Sequence, residues 1–205
     1  MRGEAVIYVF FGLIASGKSY LASGWARRHG LAYYNSDVVR KELAGLSPIA
    51  SRQEEVDQGI YTPEFSRRTY DALLDHAAAA IRHGRGVVLD ASYQSRTERG
   101  KMVELAARLQ APVRFVLCEC SDEVKKARLA LRAQDPHAVS DGRWEVYLQQ
   151  KARFEAPSEL AAESLVVFDT NLPLDKAVAK LDALLLKQES GGRNQKPEAR
   201  SQEPE

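Results

Sequence analysis

The chain has 205 residues, 44% of them hydrophobic, enough for one sizeable core and too few for two large domains. Its formal net charge of +1 excludes the global basic field that drives strong binding to long nucleic acids, while leaving local basic clusters open. No stretch is apolar enough for a membrane span, no secretory signal precedes Val6, and Cys118 and Cys120 read as reduced thiols, so a cytoplasmic protein is expected.

Val6 to Phe11 is an apolar, β-branched and aromatic run that predicts a buried strand. It feeds Gly12-Leu13-Ile14-Ala15-Ser16-Gly17-Lys18-Ser19, two glycines bracketing four residues and followed by Lys-Ser, and Tyr20 to His29 then predicts a helix. In that context the pattern builds a cage of backbone N–H groups at a helix N-terminus, where the dipole favours an anion. Glycines let the backbone curl around a phosphate without a Cβ clash. Gly12, Ala15, Ser16, Gly17, Lys18, Ser19 and Tyr20 are therefore expected to line the phosphates of a nucleotide, with Lys18 reaching the β- and γ-phosphates and the Ser19 hydroxyl on Mg²⁺.

His29-Gly30 ends this helix, and Leu31 to Asn35 predicts a second strand. Ser36 or Asp37 is expected to cap a short helix that closes by Gly45. Leu46 to Pro63 carries turn chemistry and reads as a long, substrate-facing connection. Pro63 opens a helix capped by Thr62, with Tyr70, Leu73, Leu74, Ala77 and Ile81 as its apolar stripe. Gly86 to Asp90 predicts a strand ending in a carboxylate, Ser95 to Gln110 a helix, and Val113 to Cys118 a strand. Ser121 caps a helix rich in Lys and Arg that ends near Asp135-Pro136, and Ser140 or Asp141 starts another that runs to about Glu155. Leu165 to Phe168 is the last strand, and Leu174, Val178, Leu181 and Leu185 mark a closing helix. Beyond Lys187 only Ala199 is apolar, so 188–205 is expected to be a disordered tail behind a domain at 1–187. Five strands alternating with helices predict an α/β fold, a parallel sheet covered on both faces, with ligands at the carboxyl ends of the strands.

Those ends select the residues to weigh. Asp37 follows the second strand and can take the proton of an attacking hydroxyl, or simply cap a helix. Arg40, one turn on, can clamp a second anion or that carboxylate. Asp90 suits a Mg²⁺-holding carboxylate, or it orients Arg40 or the acceptor; ordinary turn chemistry is the alternative. Tyr93, Arg96 and Arg99 line the acceptor site or lie on the surface. Arg128 and Arg132, spaced i, i+4 beside Lys125 and Lys126, share a helix face and stand at the start of an arginine-bearing lid at about 128–142. Arg132 is the favoured catalytic cation and Arg128 a nucleotide contact, against the alternative of a solvated helix. Asp141 to Tyr147 reads as a helix cap with a packed Trp, or as a contact to acceptor or adenine.

Together the phosphate loop Gly12–Ser19, Ser36-Asp37-x-x-Arg40, the strand ending Asp90-Ala91-Ser92 with Arg96, and the arginine lid resemble the polynucleotide-kinase-like branch of the P-loop kinases. The stretches Tyr33 to Lys41, Gly59-Ile60-Tyr61, Leu89 to Tyr93 and Ser140 to Glu145 are more similar still to the ATP-binding kinase domains fused behind aminoglycoside-phosphotransferase-like domains in bacteria, over most of 5–171. That resemblance implies a nucleoside-kinase-like P-loop NTPase fold with a five-stranded parallel sheet, ATP and Mg²⁺ as cofactors, Asp37 as general base and Arg40 on an acceptor phosphate. It implies a kinase whose acceptor hydroxyl belongs to a small molecule or to an oligonucleotide 5′ end. A nucleotide switch or ATPase that transfers nothing, and a toxin-type nucleotide-sugar kinase, are the competing expectations. The guanine-binding Asn-Lys-x-Asp string is absent, and Asp90 is followed by Ala91 where ring-forming ATPases carry Asp-Glu.

Overall fold

The structure, a computed structural model, describes residues 4–47, 59–134 and 143–192, with side chains to Leu186. Five parallel strands, β1 (Ile7–Phe11), β2 (Ala32–Asn35), β3 (Val87–Asp90), β4 (Val113–Glu119) and β5 (Leu165–Asp169), form one sheet in the order β2-β3-β1-β4-β5. The helices are α1 (Lys18–His29), α2 (Ser36–Leu43), α3 (Pro63–Arg82), α4 (Arg96–Arg108), α5 (Asp122–Arg132), α6 (Trp144–Arg153) and α7 (Leu174–Gly192). Short 3₁₀ turns at Gly59–Tyr61 and Ala162–Ser164 complete the described elements. None of the described helices is long and apolar enough to cross a membrane.

Strand alternation splits the core in two. Ile7, Val9 and Phe11 of β1 face Leu73 of α3 and Met102 of α4, with Val87, Leu89, Phe115 and Leu117 beside them. Phe10 faces the other way, onto Leu21 and Trp25 of α1 and Leu181 and Leu185 of α7, with Val88, Val116 and Phe168. Trp25 also donates to Asp182 at 2.7 Å, which ties the helix behind the phosphate loop to α7. A third, smaller cluster of Ile14, Ala15, Leu129 and Tyr147 lies under the loop itself.

The strands agree with the sequence reading to within a residue or so at each end. The helix boundaries show where local chemistry decides. Thr62, Ser95 and Ser121 cap α3, α4 and α5 by accepting from Phe65, Thr97 and Val124 N–H. The expected cap at Ser36 or Asp37 is corrected to Asn35: β2 runs into α2 without a loop, and the Asn35 side chain accepts from the N–H groups of Asp37 and Val38. The helix α5 stops at Arg132, short of the expected Pro136, and α7 continues past Lys187 to Gly192. The start proposed for α6 at Ser140 or Asp141, the lid beyond Gln134, most of the 46–63 connection and the tail from Arg193 lie outside the described residues.

The expectation that Arg99 lines an acceptor site or a surface is replaced by a structural role. Arg99 is 0% exposed, donates to Tyr93 O at 2.7 Å and Glu155 O at 2.9 Å, and pairs with Glu159 at 2.5 Å. Burial works against the Glu159 charge, but the Arg99 hydrogen bond and charge outweigh it and hold the carboxyl below its ordinary range. This staple fixes the 154–160 segment against the C-terminal side of β3. Arg99→Ala leaves a cavity and two carbonyls without their donor, and is expected to cost about 2–5 kcal/mol. Urea unfolding should show a lower midpoint at unchanged slope.

Candidate active site

The site is built where β1 ends. Gly12 has φ 135°, and a Cβ there would lie 2.5 Å from the Cys118 carbonyl oxygen, so only glycine can pass so close to β4. Its N–H donates to Ser92 O at 3.2 Å, which ties the start of the loop to the β3 side. Gly17, at φ 84°, ends the loop in the left-handed region and hands the chain to α1, whose first residues are Lys18 and Ser19. The first amides of α1 have no partner within the helix and carry the positive end of its dipole. Ser16 is buried and its Oγ has no partner.

The far side of the loop is braced. Thr170, just after β5, donates its hydroxyl to Ser16 O at 2.5 Å. Arg128 of α5 donates to Ala15 O at 3.2 Å, to the Thr170 hydroxyl at 3.1 Å and to Thr170 O at 2.9 Å. The Cys120 sulfur lies 3.8 Å from Ala15 O and 3.3 Å from the same guanidinium. The positive φ of 60° at Ala15, a residue with a Cβ, is thus held from outside by carbonyl contacts. Arg128, expected at the nucleotide, has this bracing contact in addition to whatever it offers a phosphate.

On the near side stand the carboxylates. Asn35 and Asp90 are partners in the β2–β3 register, so their side chains share a face. Asn35 Nδ2 donates to Asp90 Oδ2 at 2.6 Å and approaches Ser19 Oγ at 3.5 Å, and the Tyr33 hydroxyl donates to the same Oδ2 at 2.6 Å. Burial and the Asp90 carboxylate push the Tyr33 hydroxyl far above its ordinary range, so it stays a donor. Asp90 is 0% exposed, and its other oxygen, Oδ1, has no partner. A buried carboxylate oxygen without a partner, beside a serine hydroxyl at the mouth of an anion cradle, fits a hard divalent cation held by oxygen ligands. No group of three or more His, Cys, Asp or Glu among the described residues could hold a metal by itself, so such a cation would need the phosphates and water.

Asp37 sits in the first turn of α2. Burial raises its carboxyl above the ordinary range, while Lys18 and Arg40 pull it down, Asp90 pushes it up and Lys41 pulls it down. Asp37 thus lies within electrostatic reach of both the loop lysine and the buried carboxylate. Arg40 is 7% exposed; it donates to Ile60 O at 2.7 Å and Ser66 Oγ at 3.2 Å, and its guanidinium stands 5.1 Å from the Tyr61 ring centre. Its Nε is buried without a partner. The sequence-selected set Gly12 to Ser19, Asp37, Arg40 and Asp90 is therefore brought to one crevice.

Other selected residues go elsewhere. Tyr93 is buried against Tyr70, with ring centres 5.0 Å apart, and adopts φ 40°. Arg96 is 57% exposed and points to Ser158 and Glu159, where it reinforces the Arg99 staple. Tyr20 is 63% exposed on the outer side of α1. Arg132 is the last residue of α5, next to the residues outside the description. Sequence reasoning missed Tyr33 and Asn35, although their spacing of two puts both on one face of β2, and it missed Thr170 and Gln150, which no spacing rule singles out.

The family model described as "AAA domain" matches residues 7–157. No curated protein matches the sequence. Among solved structures, a gluconokinase from Sinorhizobium meliloti 1021 is similar at 20% identity, over 96% of this chain and 100% of that one, with a TM-score of 0.65. A sugar kinase from Janibacter sp. HTCC2649 shares 22% identity over 89% of this chain and 95% of its own, TM-score 0.64. The Mycobacterium tuberculosis APS kinase in complex with AMPPNP and APS shares 16% identity over 91% and 99%, TM-score 0.62. These likenesses establish the fold, a five-stranded parallel α/β sheet flanked by helices, of the P-loop NTPase type. With its glycine loop, its braced α1 N-terminus and a model matched over 7–157, the chain belongs to the AAA-domain family.

Proposed function

We propose that the protein is an ATP-dependent, Mg²⁺-requiring phosphotransferase that moves the γ-phosphate to a hydroxyl. The observation that carries this reading is Asp37: a carboxyl raised above its ordinary range in the first turn of α2, within electrostatic reach of Lys18 of the phosphate cradle and the buried Asp90. A group in that position is poised to accept a proton as a hydroxyl attacks a phosphate held by the loop. Lys18 and the amides of Ala15 to Tyr20 would carry the phosphates, and Ser19 with Asp90 would hold Mg²⁺, which supplies charge neutralisation when bound. Arg40, through its unpartnered Nε, would meet an anionic or strongly polar acceptor. Arg132 would cover the equatorial oxygens and Arg128 would add a nucleotide contact to its brace. Tyr93 and Arg96 would act behind the acceptor, through the packing they maintain.

The acceptor class we favour is a small hydroxylated metabolite. Support comes from the near-neutral charge, and from folds like this one occurring in a gluconokinase, a sugar kinase and an APS kinase. The similarity of Ser36-Asp37-x-x-Arg40 to the polynucleotide-kinase-like branch keeps a 5′-hydroxyl oligonucleotide as the second acceptor to assay. The test incubates the full chain with γ-labelled ATP and a panel of sugars, sugar acids, aminoglycosides and 5′-hydroxyl oligonucleotides. Label transferred to one acceptor supports the reading. Label found only as free phosphate with every acceptor points to the competing ATPase or switch.

Asp37→Asn is expected to slow transfer by about 10²-fold or more while ATP affinity stays within about threefold. A fall in affinity that matches the fall in rate would assign Asp37 to binding. The pH profile follows from the sign of the shift. The base works ionised, so the rate rises with pH through the raised Asp37 value, and this acid limb should lie above the ordinary carboxylate range and vanish in Asp37→Asn. A carboxyl raised on folding stabilises the fold only while protonated, and that contribution is lost as pH rises through the folded value. Asp37→Asn should therefore melt no lower than the wild type at neutral pH.

A further inference from the structure

One contact to the phosphate loop comes from outside the sheet. The Ile14 N–H donates to Gln150 Oε1 at 2.8 Å, from a helix 136 positions along the chain. A backbone N–H can only donate, so the atom it meets is the amide oxygen, and this fixes the orientation of the side chain. The two N–H donors of Gln150 are left over, and no acceptor among the described residues takes them.

Gln150 is held where it is. One turn earlier on α6, Tyr147 is buried against Ile14, Ala15 and Leu129. The Tyr147 hydroxyl and Lys151 Nζ both donate to Asp122 of α5, at 2.5 and 2.6 Å. The Lys151 and Tyr147 hydrogen bonds hold the Asp122 carboxyl well below its ordinary range. Three consecutive contacts along one helix face therefore set the Gln150 amide against the loop.

The position along the cradle matters. Gly12, two residues before Ile14, is tied to Ser92 on the β3 side, where Asp90 and, one strand further, Asp37 stand. Ala15 to Gly17 are tied to Arg128 and Thr170 on the β4–β5 side. Ile14 lies between these two ties, and its side chain packs with Ala15, Leu129 and Tyr147. A phosphate within reach of a hydroxyl activated by Asp37 must be the terminal one.

We propose that Gln150 reads the terminal phosphate of the bound nucleotide, its oxygen holding the Ile14 amide while its NH₂ donates to a γ-phosphate oxygen. This rests on the reading of the loop as a nucleoside triphosphate site, and adds the residue that separates triphosphate from diphosphate. Gln150 would favour the substrate nucleotide over the product nucleotide and help to release the latter after transfer.

The test is the ratio of ADP to AMPPNP dissociation constants at saturating Mg²⁺, measured on the full chain by calorimetry. Gln150→Glu keeps an oxygen for the Ile14 N–H, so it preserves the structural contact, but it removes the donors and sets a negative charge against the γ-phosphate. The expected result is a ratio at least tenfold lower than in the wild type, with ADP affinity changed by less than about threefold. Gln150→Ala removes both functions; both nucleotides then bind more weakly, and the ratio still falls severalfold. If Gln150→Glu shows no thermal transition, Gln150→Ala decides alone. A ratio within twofold of wild type in the folded variants overturns the proposal and leaves Gln150 as packing. A ratio that rises in Gln150→Ala also overturns it, because the side chain would then occupy an amide that the phosphate needs. Wild-type protein that binds neither nucleotide overturns the triphosphate reading itself, and this inference with it.

Discussion

The side-chain amide of Asn35 is the point on which the site depends. Its oxygen accepts the first free N–H groups of α2, and its nitrogen donates to Asp90 and approaches Ser19. One planar group therefore fixes the start of the helix that carries Asp37, the orientation of the buried carboxylate, and the position of the hydroxyl at the mouth of the cradle. The geometry works because β2 and β3 are in parallel register at Asn35 and Asp90 and because β2 passes into α2 with no intervening loop. A serine or aspartate cap would satisfy the helix equally well. An aspartate could not also donate, since an ionised carboxylate has no proton, and a serine has one proton where the Asn35 amide has two, one on Asp90 and one directed at Ser19.

The phosphate loop is strained, and its support comes from three directions. Strain at Gly12 is removed by glycine, but Ala15 has no such freedom and is held by Arg128 at its carbonyl and by the packing of Leu129 and Tyr147. Thr170 fixes the next carbonyl, and Gln150 takes the preceding amide. Two of these supports come from α5 and α6, the helices that flank 135–142, and the Asp122 clamp joins them to each other. Tyr147 and Gln150 of α6 touch the loop directly.

Much of this was legible in the sequence, and the limits are physical. The glycine loop, the five strands and the carboxylates at strand ends follow from periodicity and from the rule that parallel sheets bind ligands at their carboxyl edge. Arg40 and Asp90 were found that way. Asn35 was read only as the end of a strand, because a cap that lies within a strand residue gives no loop signal. Arg99 carries the same charge pattern as Arg96, yet one is 0% exposed and the other 57%. Both reach Glu159; what separates them is the pair of carbonyls, Tyr93 O and Glu155 O, that Arg99 also takes, and no local pattern reports a partner 56 positions along the chain. Arg128 shows the converse case: its i, i+4 spacing with Arg132 predicted a shared face, while its contacts with Ala15 and Thr170 depend on the β4–β5 crossover.

Unmet polar groups are concentrated at one end of the sheet. Ser16 Oγ, Asp90 Oδ1 and Arg40 Nε are buried without partners, as are Tyr93 Oη, Gln94 Oε1 and Glu98 Oε2 beyond β3, and Asp37 is a carboxyl whose ionised form burial disfavours. A buried polar atom left unsatisfied costs on the order of 1–3 kcal/mol, so a sequence selected for stability alone would have replaced several of these groups. The two apolar layers and the Arg99 staple supply the stability that lets them persist. The signs of the unmet groups are also complementary to one kind of ligand. An orphaned carboxylate oxygen asks for a cation, an orphaned guanidinium N–H and the free amides of α1 ask for anions, and a raised carboxyl asks for a proton. The metal-bound polyphosphate and hydroxylated acceptor that we propose would answer these four groups together, which constrains the proposal more than any one residue does.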